Sequence, residues 1–329
     1  MKLTIRFAVC LLSFTQLSAG NDSAPTTVRL ESGVSGHIHP ALCFTPKGTL
    51  VATFCKREYR PHLITRSTDG GKTWSKPKLF PHTTKTLVYP GSLTTLSDGR
   101  IVHAWNVWFT TADKSKSRYV AYSVSSDEGL TWSEPKALKK SKGEKTHSVI
   151  RHPILELSPR AWVFPLADRT IVYNPETGTE KPFGDGRNHG LVPIVRTGKE
   201  TLISGKGYRS TDEGKTWQVI KPFPNIASQG WRHQMVALPT GHILASQILG
   251  PGTGGLEIRF AVSRDDGKTW DMKGMEFYNP GRPIGGRACP KTVLIHETTI
   301  GTIYYDTSSE QKGGSGVFFR TQPLQVKSE

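Results

Sequence analysis

The amino-acid sequence predicts an all-β fold, a six-bladed β-propeller with four-stranded antiparallel blades. One octapeptide recurs in it, a hairpin pattern recurs between the copies of that octapeptide, and the units have a period of roughly 50 residues, which is typical of repeat architectures. A small antiparallel sheet of this size cannot bury both of its faces alone. Such units are therefore expected to pack side by side around a common axis.

The octapeptide occurs four times: STDGGKTW from Ser67 to Trp74, SSDEGLTW from Ser125 to Trp132, STDEGKTW from Ser210 to Trp217, and SRDDGKTW from Ser263 to Trp270. Its residues suit a tight β-turn, because aspartate accepts backbone N–H bonds, glycine adopts a positive φ, and serine and threonine bond within the turn. The copies start 58, 85 and 53 residues apart (67 to 125, 125 to 210 and 210 to 263). The long middle interval therefore predicts a unit that lacks the octapeptide.

Hairpin patterns locate the units. In each pattern an apolar run is followed by a turn and a second apolar run, as expected for paired β-strands. The patterns start at six residues: Pro40, Gly91, His152, Gly190, Met235 and Cys289. The segment from Val28 to Gly36 precedes the first unit, and we expect it to close the ring by pairing with the last blade.

The N-terminal segment predicts export. It has a basic start, an apolar run from Phe7 to Phe14, and small residues at Ser18, Ala19 and Gly20, which together are typical of a secretory signal peptide. The apolar run is too short to span a bilayer. We therefore expect a signal peptide at 1–20 and a single propeller domain at 21–329, secreted to the periplasm or the extracellular medium.

Charge and cysteine usage narrow the expected partners. The formal net charge is +16, and removal of Lys2 and Arg6 with the signal peptide would leave +14 (16 minus 2), so the surface favours anionic partners. We expect an acidic oligo- or polysaccharide rather than nucleic acid, because no helix or zinc motif presents the lysines to a groove. Cys43, Cys55 and Cys289 are an odd number without ligand spacing, which predicts buried thiols. No cofactor, no metal and no membrane insertion are expected, and the protein is expected to be a monomer.

The octapeptide resembles the Asp box of the sialidase superfamily, whose six-bladed propellers carry this S-x-D-x-G-x-T-W turn, and the resemblance covers essentially the whole mature chain. In that family the boxes lie at the blade peripheries, away from the site. The resemblance therefore implies a structural role for the four box aspartates: Asp69, Asp127, Asp212 and Asp265.

The resemblance also implies what a sialidase needs: three arginines for the sialate carboxylate, a tyrosine nucleophile activated by a glutamate, and an aspartate as acid and base. The family's Phe-Arg-Ile-Pro motif corresponds here to His37, Ile38, His39 and Pro40, without an arginine. Arg232 stands in place of the glutamate, and Arg287 stands in place of the tyrosine. The aligned strands thus lack the tyrosine-glutamate pair, so the sequence predicts chemistry other than ordinary sialic-acid hydrolysis.

Residues just before the first strand of each blade are expected to face one mouth of the central channel. The predicted catalytic residues in these slots are His39, Tyr89, His152, His189 and His233, and the predicted substrate-binding residues are Arg57, Arg60, Arg232 and Arg287. Arginine binds a carboxylate or sulfate in a bidentate manner, histidine can take the acidified C–H proton, and a tyrosine such as Tyr89 can return one to the leaving oxygen. This combination is that of a polysaccharide lyase.

Four alternatives stay open at this stage, and the first is a true exo-α-sialidase, a glycoside hydrolase, with rearranged site residues. Hydrolysis would need two carboxylates roughly 5–10 Å apart, for which the loop candidates are Glu58, Asp113 and Asp185. The ring of histidines could bind a metal ion. The mouth could also hold a glycan without turnover, with Trp105, Trp108 and Trp231 as stacking platforms.

Overall fold

The computed structural model describes ten segments of the chain: residues 24–36, 38–83, 87–110, 116–138, 149–197, 201–220, 234–249, 257–286, 288–308 and 314–324. Within them the structure contains six four-stranded antiparallel sheets, which confirms the predicted fold. The predicted signal peptide lies outside the described residues. No helix in the described segments is long and apolar enough to cross a membrane.

The first described strand, β1 (Thr26–Ser32), belongs to the last blade, and the next three blades use consecutive strands. Blade 1 contains β2 (Ala41–Phe44), β3 (Leu50–Arg57), β4 (Arg60–Ser67) and β5 (Lys78–Leu79). Blade 2 contains β6 (Leu87–Thr95), β7 (Ile101–Thr110), β8 (Lys116–Ser125) and β9 (Lys136–Ala137). Blade 3 contains β10 (Leu155–Ser158), β11 (Ala161–Pro165), β12 (Thr170–Asn174) and β13 (Thr179–Pro182).

The remaining blades follow the same plan. Blade 4 contains β14 (Ile194–Arg196), β15 (Leu202–Ser204), β16 (Tyr208–Ser210) and β17 (Gln218–Val219). Blade 5 contains β18 (Met235–Ala237), β19 (Ile243–Leu249), β20 (Glu257–Ser263) and β21 (Asp271–Tyr278). Blade 6 contains β22 (Lys291–His296), β23 (Thr299–Asp306), β24 (Gly316–Pro323) and β1.

The ring closes through the two ends of the sequence. Strand β1 pairs antiparallel with β24, from Thr26 opposite Thr321 to Ser32 opposite Gly316, as the sequence predicted for the segment that begins at Val28. Around the axis, β2 contacts the first strands of both neighbouring blades, β6 and β22, and β14 likewise contacts β10 and β18. Blade 6 is thus completed by an N-terminal strand, so an octapeptide turn has no place between its last two strands.

The four octapeptides lie in equivalent turns between the third and fourth strands of blades 1, 2, 4 and 5. In the first of them, Asp69 Oδ1 accepts hydrogen bonds from the Ser67 hydroxyl at 2.8 Å and from the Thr73 N–H at 2.9 Å, and its Oδ2 accepts one from the Thr73 hydroxyl at 2.6 Å. These bonds, led by that of the Thr73 hydroxyl, lower the pKa of Asp69 to about 2. In blade 3 a different turn fills the same place, in which Asn174 Oδ1 accepts from the N–H groups of Glu176 and Thr177.

The octapeptide tryptophans pack against the preceding blade. Three of them contact a phenylalanine there: Trp74 contacts Phe319 at a centroid distance of 5.0 Å, Trp132 contacts Phe80 at 5.2 Å, and Trp217 contacts Phe183 at 5.8 Å. Close approach requires glycine in this turn, since Gly71 has a φ of 90° and a Cβ there would lie 2.1 Å from the Phe319 ring. The turns therefore hold neighbouring blades together.

Replacing Asp69 by alanine is expected to lower the free energy of unfolding by about 1 kcal/mol or more, because three hydrogen bonds within the turn are lost. Urea unfolding of the wild type and the variant measures this difference. Asp69→Asn is the matched control, since it keeps one carbonyl oxygen and should lose less. Saccharide binding should not change, because the turn lies at the opposite end of blade 1 from the β3–β4 turn; a large loss of affinity in folded protein would contradict the structural role.

The core contains buried polar groups between blades 1 and 2. Cys43, Cys55 and Cys289 are buried thiols, as predicted. Nearby, the fully buried His103 bonds the Ser92 carbonyl through Nδ1 at 2.8 Å, and its Nε2 lies 3.2 Å from Nε2 of His62. Because a carbonyl only accepts, His103 carries its proton on Nδ1, and the His62 Nε2–H donates to His103. Burial lowers the pKa of both imidazoles, so both are neutral near pH 7.

Candidate functional site

Side chains from blades 1, 2, 3 and 6 meet at the end of the channel where the innermost strands begin. We call them the mouth cluster: His39, Tyr59, Tyr89, Trp108, Arg118, Arg151, Cys289 and Lys291. The Tyr89 ring lies at its centre, with the His39 ring at a centroid distance of 4.4 Å on one side and the Arg151 guanidinium 3.7 Å from the ring centroid on another. Lys291 Nζ donates to the Arg151 carbonyl at 3.0 Å.

A second layer of the cluster comes from the turn between β3 and β4 and from the long strands of blade 2. The Tyr59 ring lies 5.9 Å from Tyr89 and 5.1 Å from Trp108. The Arg118 guanidinium lies 4.2 Å from the centroid of the Trp108 ring. Arginine stacked on an aromatic face is attracted by the ring quadrupole, which holds the guanidinium in place while its outer N–H groups stay available.

The two arginines form an uncompensated pair of positive charges. Burial lowers the pKa of both Arg118 and Arg151, and the charge of Arg118 lowers the pKa of Arg151 further. In the described segments neither arginine forms an ion pair, and Nε of each, together with Nη1 of Arg151, is buried without a hydrogen-bond partner. Because unpaired charge away from water is costly, this arrangement favours an anionic ligand between the two guanidinium groups.

Lys291 is a further cation of the cluster, and it loses its proton more readily than the two arginines. Burial lowers the pKa of Lys291 to about 8; the Cys289 thiolate would oppose this shift, and the charge of Arg151 adds to it. A lysine with this pKa is partly neutral near physiological pH and can accept a proton.

Tyr59 and Glu58 occupy the two central positions of the β3–β4 turn. Tyr59 is partly exposed and Glu58 is exposed. Burial raises the pKa of Tyr59, as do a hydrogen bond to Glu58 and the charge of that carboxylate, while the charges of Arg118 and Arg151 act in the opposite direction. A tyrosine hydroxyl bonded to a carboxylate and facing two guanidinium groups is suited to proton transfer.

The backbone around the cluster is strained. Four non-glycine residues there have a positive φ: His39 (48°), Tyr59 (69°), Ala288 (50°) and Cys289 (41°). Left-handed conformations are uncommon for such residues and concentrate at functional sites. Cys289 Sγ lies 3.8 Å from His39 Nε2, so this strained chain brings the last blade against the first.

The sequence-predicted catalytic residues have different surroundings. His39 and Tyr89 belong to the mouth cluster, but both are only 2 % exposed, and Arg151 lies over the Tyr89 ring. His152 is fully buried and donates from Nε2 to the Leu191 carbonyl at 3.1 Å. His189 is buried against the Trp217 ring at 4.4 Å, and burial lowers its pKa to about 4. The surroundings of His152 and His189 are those of core histidines.

The other predicted residues divide into three groups. Arg57 and Arg60 line a groove beside the mouth cluster. Trp105 is buried against Phe80, and Asp185 pairs with Arg187 at 3.1 Å. The remaining ones lie outside the described residues and stay predictions: Asp113, Trp231, Arg232, His233 and Arg287. Among the residues that the structure does describe, no group of three or more His, Cys, Asp or Glu side chains is arranged to hold a metal ion.

The sequence pattern did not predict four residues of the mouth cluster as site residues: Tyr59, Arg118, Arg151 and Lys291. Arg151 directly precedes the predicted residue His152, and Lys291 lies three positions after Ala288, which directly precedes the first strand pattern of the last blade. A search window of three residues on each side would have found both. No sequence signal marks Arg118, because it reaches the mouth from the third strand of blade 2 by stacking on Trp108.

Comparisons with known proteins agree with this architecture. Residues 65–76 and 208–219 match the family model of the BNR/Asp-box repeat. No match was found among curated protein sequences. A protein of unknown function from Dyadobacter fermentans is 19% identical with a TM-score of 0.63, covering 91% of this chain and 99% of that one.

Two structures of enzymes are also similar in fold. The Trypanosoma rangeli sialidase in complex with sialic acid is 12% identical with a TM-score of 0.56, and the match covers 91% of this chain but 59% of that one. The Penicillium chrysogenum α-L-arabinanase complexed with arabinobiose is 14% identical with a TM-score of 0.55, covering 92% and 99%. At these identities the likeness is one of fold. The chain is thus a sialidase-like six-bladed β-propeller that carries BNR/Asp-box repeats.

Proposed function

We propose that the protein is an exported carbohydrate-active enzyme that binds an acidic saccharide at the mouth cluster and cleaves it by elimination next to a uronate. The observation that carries the proposal is the pair Arg118 and Arg151, two stacked guanidinium groups without an acidic partner in the described segments. Structures with the same fold include a sialidase bound to sialic acid, an acidic sugar, and an arabinanase bound to arabinobiose.

The chemistry follows from the charge of the ligand. Guanidinium groups that bind the uronate carboxylate neutralise it and acidify the C–H beside it. The base takes this proton, the C–O bond at the β carbon breaks, a C=C bond forms, and the leaving oxygen gains a proton. We assign the proton acceptor to Lys291 in its neutral form and the proton donor to Tyr59, the partly exposed tyrosine of the cluster.

Incubation with uronate-containing and sialylated glycans tests the proposal. We expect fragments of the uronate glycan whose mass lacks the water of hydrolysis and whose new unsaturated ends absorb in the ultraviolet. The rate should rise as the pH rises through about 8, the pKa of Lys291, because the amine must be neutral to accept a proton. Fragments that have gained water, or binding without new ends, would contradict elimination.

A second candidate is hydrolysis of a sialoside, and the contact between Tyr59 and Glu58 favours it. The aligned strands lack a tyrosine-glutamate pair, but the β3–β4 turn supplies one beside Arg118 and Arg151. In this case the product would be free sialic acid with water incorporated. The product mass therefore separates the two candidates in one measurement.

Tyr59→Phe is expected to lower kcat by about 100-fold or more, since proton transfer by a positioned side chain contributes roughly 10²- to 10⁴-fold. The Kd should change little, because the ring and its contacts remain. Tyr278→Phe removes a hydroxyl from the outer strand of blade 5, outside the mouth cluster, and serves as the control. Unchanged turnover in Tyr59→Phe would exclude this tyrosine from both reactions.

A further inference from the structure

A groove runs beside the mouth cluster over the same end of blade 1. It has a volume of about 460 Å³ and is lined by Lys56, Arg57, Arg60, His62, Leu79 and Thr83. This volume lies within the roughly 300–1000 Å³ that is usual for small-molecule sites. Leu79 is 55% exposed, so the groove offers an apolar surface beside its cationic groups, as the alternating C–H and polar groups of a sugar require.

The cations of this groove are not explained by folding. Arg57 and Arg60 lie directly opposite each other across the β3–β4 turn, where like charges destabilise a hairpin. Lys56 pairs with Glu31 at 3.0 Å, whereas neither arginine has an acidic partner in the described segments. The groove therefore keeps two uncompensated positive charges at a position that costs stability.

The groove and the mouth cluster are separated by a single turn. Tyr59 faces Tyr89 and Trp108 in the mouth, and the next residue, Arg60, lines the groove. Consecutive Cα atoms are about 3.8 Å apart, so one extended ligand can reach both. A molecule with a single acidic group would occupy the arginines of the mouth and leave those of the groove unpaired.

We infer that the groove is a second anion subsite, which binds another carboxylate or sulfate further along the same polymeric acidic polysaccharide. The inference rests on the proposed function and narrows its substrate class from an acidic sugar to a chain with repeated acidic groups. The two subsites would then hold such a chain over blade 1 while the mouth cluster acts on one residue of it. Both sources of negative charge, uronate and sulfate, share the chemistry that arginine recognises.

The test is the dependence of affinity on ligand length, measured by calorimetry with a series of oligouronates from the monosaccharide to the hexasaccharide. The wild type should bind the hexasaccharide at least about tenfold more tightly than the monosaccharide, the effect of one further charged contact. The double variant Arg57→Gln, Arg60→Gln should lose this gain and keep the monosaccharide Kd. A parallel series with sulfated, carboxyl-reduced oligosaccharides distinguishes sulfate from carboxylate.

The double variant Lys47→Gln, Lys76→Gln is the matched control, because it also removes two positive charges, but from exposed positions at the opposite end of blade 1. It should keep the length-dependent gain. The second subsite would be wrong if the wild type bound all lengths with equal affinity, or if the arginine variant kept the increase of affinity with length. Neither result would contradict a binding site at the mouth cluster. If the wild type bound no oligouronate of any length, the proposed function itself would fail.

Discussion

Replacing Arg151 by glutamine is expected to weaken binding of an acidic saccharide by about 1.5–3 kcal/mol, the usual contribution of hydrogen bonds to charged groups. This corresponds to a roughly 10- to 150-fold higher Kd. The reason is that Arg151 lies 3.7 Å from the Tyr89 ring centroid and has no acidic partner in the described segments, so its charge is available to the ligand. Lys291 bonds to the backbone carbonyl of this residue, and that contact survives the substitution.

The control for this prediction changes the ligand and not the protein. A saccharide with its carboxyl group reduced to an alcohol should bind the wild type and Arg151→Gln with similar affinity, because the contact that the substitution removes is already absent. Arg118→Gln should behave like Arg151→Gln. If both ligands lost affinity equally, the effect would be one of packing, and the assignment of the two arginines to the carboxylate would be wrong.

The buried histidine pair is expected to make the protein unstable in mild acid. Burial lowers the pKa of His103 from 6.5 to about 4, and burial together with the charge of His103 lowers the pKa of His62 well below its usual value. The unfolded chain therefore binds protons near pH 6.5 that the folded chain does not bind. Stability should accordingly be complete above this pH and fall as the pH decreases from about 6.5 to about 4.

For His103 alone the decrease in the free energy of unfolding at the lower end of this pH range is on the order of 3 kcal/mol, from the size of the pKa shift. Urea unfolding between pH 7 and 4.5 measures it. In the double variant His62→Leu, His103→Leu the free energy of unfolding should depend less steeply on pH, whatever its absolute value. His189 contributes the same slope to the wild type and to the variant. His296→Gln removes an exposed histidine and should keep the wild-type slope. An unchanged slope in the double variant would exclude the pair as its cause.

The fold was accessible to sequence analysis because its signals are local. Each octapeptide turn is built from hydrogen bonds within eight residues, such as those of Asp69 with Ser67 and Thr73, so the pattern is visible wherever the turn occurs. The hairpins also join neighbouring segments, and their apolar runs have the expected positions. The closure of the ring by the segment from Val28 is also predictable from the order of the units, because that segment precedes the first complete unit.

The candidate site was less accessible, because contacts between distant segments create it. Sequence reasoning placed His39 and Tyr89 at the mouth, where the two rings do meet at 4.4 Å. It treated His189 as equivalent to them, whereas the structure packs His189 against Trp217. A position before a first strand fixes the end of the blade at which a residue lies. It does not fix the direction of the side chain, which depends on the neighbouring blade.

The sequence by itself determined the six-bladed architecture and the structural role of the octapeptide turns, and its net charge of +16 predicts a preference for anionic partners. Only the tertiary structure brought Arg118, Arg151 and Lys291 together with Tyr59, and only it buried His62 against His103. The physical reason is that turns and hairpins depend on interactions between residues close in sequence. Charge pairing, cation–π stacking and desolvation depend instead on which segments become neighbours when the ring closes.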